Sequence, residues 1–178
     1  RDLGQQLSQN VLLHRIEQPG DHGLVQLQQR VRLAAPVHRD ADIAADHFRI
    51  SPREVITKAQ ALYRRALELN PTNFTAATDL AQSYYAIQVP LTGDAAANAK
   101  AAQKLSDEAL DAWETALNLA RTDAERQSVQ LHRARVQISA RRGADARASL
   151  AKVTDPKLVS LKAELEVRLT AEEARIKP

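Results

Sequence analysis

Leu3, Leu7, Val11, Leu12 and Ile16 recur at three- and four-residue steps. That spacing places side chains on one face of an α-helix, so 3–17 reads as a helix, broken by Pro19-Gly20. Leu24, Leu27, Val31 and Ala34–Ala35 form a second stripe, ended by Pro36, and the two together suit a helical hairpin. Val37 to Ile50 carries little periodicity and reads as mostly loop with room for one helical turn. From Ser51 the pattern sharpens. Val55, Ile56, Ala59, Leu62, Tyr63, Ala66 and Leu67 give a broad apolar face, closed by Asn70-Pro71. Phe74 to Gln88 follows as a helix carrying Ala77, Leu80, Ala81, Tyr84 and Ile87. Val89-Pro90 and Thr92-Gly93 then turn the chain.

Polar residues mark where these helices begin. Ser51, Pro52 and Glu54 fit N-cap, first and third positions: a capping box, with proline where its missing N–H costs nothing. Asp94 can cap a long helix running to about Ala120. Thr122 and Glu125 form a second capping box, opening a helix expected to end at Gly143. A short helix to about Lys152 follows, and Asp155-Pro156 starts a last one to about Arg175. No stretch alternates apolar and polar residues between turn signals, as a half-buried strand would.

Composition narrows the picture. Apolar residues make up 44% of the 178, a globular share that argues against wholesale disorder. Five glycines and seven prolines are few, and only 3% of residues are aromatic, so the core must be packed from Ala, Leu, Val and Ile. A net charge of +3 is a weak argument for nucleic acid or membrane. No apolar run is long enough to span a bilayer. With no cysteine there are no disulfides or thiolate metal sites, and the compartment stays open between cytoplasm and periplasm. The chain opens at Arg1 without a signal-like segment, which reads as a processed or trimmed start, and with no methionine either the composition is unusual or some positions of the natural chain are missing.

Helices of similar length in succession call for a repeat test. Ala59, Tyr63, Ala66 and Pro71 have the spacing small, large, small, proline, and Leu80, Ala81 and Tyr84 follow in register. The segment KAQALYRRALELNPTN resembles the tetratricopeptide repeat family, whose units are antiparallel helix pairs of about 34 residues. Ala109, Trp113 and Ala116 supply the next second helix. They come late because VPLTGDAAANAKAAQKLSD extends the unit as a helical insertion near 89–107. A third unit puts Ala134 and Ala146 in the small positions and Leu150 in the large one, but has Gln130 and Arg133 where the family has bulky apolar residues. The resemblance covers about Ser51 to Val153. It implies an all-α solenoid of antiparallel helix pairs, right-handed, with repeats over 51–155, an N-terminal helical segment at 1–50 and a capping helix over 156–178. In that last helix Leu158, Leu161, Leu165 and Leu169 share one face, with charges elsewhere, as the end of such an array requires.

In this family the first helices line a concave groove that takes a peptide or a partner's helix. Register assigns to it Thr75, Thr78, Gln82 and Tyr85, then Leu131, His132, Arg135 and Ile138. Of the adjacent Tyr84 and Tyr85, one can pack inward while the other faces the groove, and Tyr and Arg are enriched in binding hot spots. Some members grip a terminal carboxylate at positions held here by Thr78, Gln82, His132 and Arg135; only the arginine fits. Trp113, the sole tryptophan, sits at a second-helix packing position and reads as core.

His38, Asp40, Asp42, Asp46 and His47 gather metal-compatible chemistry in one segment. They match neither a zincin nor an EF-hand spacing and read as a solvated loop, so no metal or other cofactor is expected. Nucleophile–base pairs and phosphate-cradling glycine loops are missing. Arg64-Arg65 and Arg141-Arg142 read as solvated helix faces, without the interleaved aromatics that single-stranded nucleic acid would need. The expectation is therefore a non-enzymatic scaffold for a protein or peptide partner. Two rivals remain: a self-assembling structural component, built on unmated N-terminal helices and an overhanging 94–120 helix, and a metal-dependent function at His38–His47.

Overall fold

The computed structural model describes Asp42, residues 45–47, 49–89 and 92–176. The two expected helices before Pro36 lie outside these residues. Asp42 and residues 45–47 are helical, so the 37–50 stretch contains its turn of helix. From Pro52 onward the described residues are all-α, with helices packed sequentially in antiparallel pairs. Backbone proximity divides the chain into two compact units, Arg1–Gln88 and Val89–Pro178.

In the first unit α1 spans Pro52–Leu69 and α2 Phe74–Ser83. The Ser51 capping box forms as the sequence predicts. The Glu54 N–H donates to Ser51 Oγ at 3.2 Å, and the Ser51 N–H donates to Glu54 Oε2 at 2.8 Å. The Ser51 N–H and the Ser51 hydroxyl both donate to the Glu54 carboxylate, which favours its charged form and holds its pKa below the ordinary value. Asn70 ends α1, and its Oδ1 accepts from the Thr72 N–H at 3.2 Å, which tightens the reversal. Asn73 then caps α2 by accepting from the Ala76 N–H at 3.0 Å. Ala76, Ala77 and Ala81 are buried at the helix contact, where small side chains let backbones approach. One buried polar bridge crosses it: Gln60 Nε2 donates to Ser83 Oγ at 3.0 Å, and that hydroxyl donates to the Leu80 carbonyl at 2.6 Å. The helix expected to reach Gln88 stops at Ser83. Tyr84–Ala86 tightens into a 3₁₀ turn there.

In the second unit α3 spans Ala95–Leu119, α4 Asp123–Ser139, α5 Gly143–Ala151 and α6 Val159–Ile176, with a 3₁₀ turn at Pro156–Leu158 before α6. Asp94 caps α3 through the N–H groups of Ala96 and Ala97, and Thr122 with Glu125 forms the capping box of α4. The core gathers Leu131, Ala134, Ile138, Ala146, Leu150, Val153, Leu158 and Leu169, with Leu161 and Leu165 packed against it. The four leucines of the last helix thus do face inward. Gln137 and Ser149 bridge α4 to α5 inside the core at 2.8 Å. Gln127 Oε1 accepts from both the Thr154 and Asp155 N–H groups at 2.7 Å, fixing the entry to α6.

α4 does not run to Gly143. It ends at Ser139, and Arg141 takes the left-handed conformation at φ 59. The Arg142 N–H donates to the Gln137 carbonyl at 2.8 Å and the Arg141 N–H to that of Ile138 at 3.0 Å. Those two bonds make a Schellman end in which arginine occupies the position glycine usually fills. Gly143 instead opens α5, where a Cβ would stand 2.8 Å from Glu173 Oε1, the end of a flexible side chain that can move aside.

Arg142 pairs with Asp107 of α3 just beyond the end of α4. The twelve residues of α3 before Asp107 therefore extend past its mate by about 18 Å at 1.5 Å per residue. From Ala95 to Lys104 every side chain but Asn98 is exposed. Alanine's helix propensity and the Asp94 cap sustain this part, with Asn98 Oδ1 tying back to the Thr92 N–H at 2.9 Å.

Candidate partner-binding faces

The eight expected groove residues divide evenly: four belong to the first unit and four to the second. On α2 and its 3₁₀ extension, Thr75 is exposed and Gln82 and Tyr85 are half-buried. Thr78 is only 5% exposed, with its hydroxyl donated to the Thr75 carbonyl at 2.9 Å. The two tyrosines separate as their adjacency predicts. Successive residues of a 3₁₀ turn point about 120° apart. Tyr84 goes inside, where its Oη accepts from Arg64 Nη2 at 3.2 Å, and Tyr85 stays at the surface.

On α4 the outcome differs. Leu131 and Ile138 are each 2% exposed and belong to the core. His132 is 6% exposed and stacks on Trp113 of α3, with ring centroids 4.3 Å apart and planes 10° from parallel. Trp113 itself is 1% exposed, as its packing position implies. Arg135 is half-buried and is the most accessible of the four. The physical reason is crowding. α4 packs against α3, α5 and α6, so little of its circumference is left to meet a partner.

The stack also sets the chemistry of His132. Burial pushes its pKa down from 6.5 to about 3, and the nearby Arg135 charge acts in the same direction. The imidazole is neutral at physiological pH and acts as a flat aromatic plate. The Trp113–His132 pairing had no local signal in the sequence, since the two residues come from different helices.

Gln130 and Arg133 both stand on α4. Gln130 is 5% exposed, and Arg133 pairs with Glu114 of α3. Of the basic doublets, Arg65 pairs with Glu68 at 2.7 Å on an exposed helix face. Arg141-Arg142 lies in the α4–α5 turn rather than on a helix face. His38 and Asp40 lie outside the described residues; Asp42, Asp46 and His47 are exposed. Among the described residues no three His, Cys, Asp or Glu side chains are grouped to hold a metal ion, and no helix is long and apolar enough to cross a membrane. Comparison with known proteins matches the chain to no protein family, no curated relative and no solved structure.

Proposed function

We propose that this chain is a tetratricopeptide-like helical solenoid that holds a protein or peptide partner and performs no chemistry of its own. The observation that carries this reading is the surface of α2. Tyr85 stands half-buried at the surface next to a buried Tyr84, in series with exposed Thr75 and half-buried Gln82. The opposite side of that helix is committed to packing through Ala76, Ala77, Leu80 and Ala81. A tyrosine offers a large contact area at low entropic cost. On α4 the contact narrows to Arg135, the expected groove residue there that is not buried.

The test is affinity capture from the source organism's lysate with the full chain as bait. Tyr85→Ala and Arg135→Ala are each expected to reduce retention of the specific partner about tenfold, the scale of a single interface hot spot. A partner retained equally by the double variant would overturn the assignment of these faces.

A further inference from the structure

Within the second unit α3 packs against α4, and α4 in turn meets α5 and α6. The two sides of α4 differ in what holds them. On one side Leu131, Ala134 and Ile138 join the aliphatic core that Leu150, Leu158 and Leu169 complete. On the other side α3 brings Ala109, Ala112, Trp113 and Ala116, buried along one helical stripe. Three of these four are alanines, which bury little apolar area, so Trp113 supplies most of it. The leucines of α3, Leu105, Leu110, Leu117 and Leu119, stay half-buried.

On α4 the matching stripe, at the same spacing, is Val129, His132, Arg133 and Val136. Half of it is polar. His132 stacks on Trp113, and Arg133 pairs with Glu114. Arg133 Nε is buried there without a hydrogen-bond partner, which subtracts from the contact. A second ion pair, Arg142 with Asp107, links α3 to the end of α4. Both pairs are partly exposed, so water and salt compete with them.

The two helices also depend little on each other for being helical. Residues 95–104 of α3 hold their helix almost wholly in solvent. Isolated helices become marginally stable beyond about 12–15 residues, and α3 has 25. The start of α4 is fixed locally, by its own Thr122 and Glu125 capping box.

We infer that α3 is a releasable element, which lifts off α4 as a helix while α4, α5 and α6 stay packed. Release breaks two ion pairs and one ring stack and leaves the aliphatic core intact. It uncovers the Val129–Val136 stripe and parts Trp113 from His132. Under native conditions it is a rare excursion, and bulk unfolding still takes the unit as a whole. It is independent of the partner faces proposed above.

Hydrogen–deuterium exchange of the full chain under native conditions tests it. Amides of residues 105–119 should be at least about tenfold less protected than those of 131–138. The chain has no cysteine, so single thiols can report the same opening. Ala116→Cys places one on the α3 contact and Ala146→Cys one in the aliphatic core, both at fully buried positions. A thiol reagent should label the first at least about ten times faster, with a weaker urea dependence because less surface opens. Asp107→Asn with Glu114→Gln should speed exchange in 105–119 by about fivefold more and leave 131–138 unchanged. Equal protection of 105–119 and 131–138 in the native chain would overturn the inference, whether or not the cysteine variants fold. So would an ion-pair variant that speeds exchange in both segments alike.

Discussion

His132 shows how far one residue's environment can depart from what its type suggests. Held between Trp113 and the interior of the second unit, it refuses a proton until about pH 3, whereas in the unfolded chain it accepts one near 6.5. Between those values the unfolded state binds the extra proton. Stability from this group is therefore complete above pH 6.5 and declines as pH falls toward 3, by about 1.4 kcal/mol per unit. His132→Phe keeps a flat ring on Trp113 and removes the proton site. Urea midpoints at pH 7 and pH 5 should show the native chain losing about 2 kcal/mol more than the variant. Equal losses would mean that the imidazole is not excluded from water. That His132 is buried was not legible in the sequence. Periodicity identifies that a face is apolar, but not how many neighbours a helix has. The repeat register treats a first helix as having one open side, while α4 packs against three others, and Leu131, His132 and Ile138 go inside with it.

Helix starts were the most legible features of all, because a cap is a local chemical event. Ser51-Pro52-Glu54, Asp94 and Thr122-Glu125 each need only a short side-chain reach, and each forms as written. Helix ends were less so. Gly143 looked like the stop of α4, yet the left-handed position falls on Arg141, and Gly143 instead opens α5. This misassignment leads to a prediction. A non-glycine residue at φ 59 costs about 1 kcal/mol or more, so Arg141→Gly should raise stability by roughly 0.5–1 kcal/mol in chemical denaturation. The adjacent Arg142–Asp107 pair is untouched by that change. A lower midpoint for the variant would show that the Arg141 side chain contributes more than its backbone costs.

The molecule as a whole is two units, each with its own packed interior. The chain break at Val89-Pro90 could be seen in advance, as a turn inside an extended repeat. That it also separates compact units could not, because compactness depends on contacts distant in sequence. The second unit holds the larger described core, built around Leu131, Leu150 and Leu169 and clasped by Gln127 and Gln137. A fragment of residues 89–178 should accordingly be helical and unfold in one cooperative transition, followed by circular dichroism against temperature. A broad, non-cooperative melt would show that this core does not hold together without the first unit.

The Trp113–His132 stack has an optical consequence. Trp113 is the chain's only tryptophan, so all indole emission arises from the second unit. With an imidazole plate 4.3 Å away, that emission is sensitive to any sliding of α3 on α4. The protein thus carries a built-in reporter for its second unit.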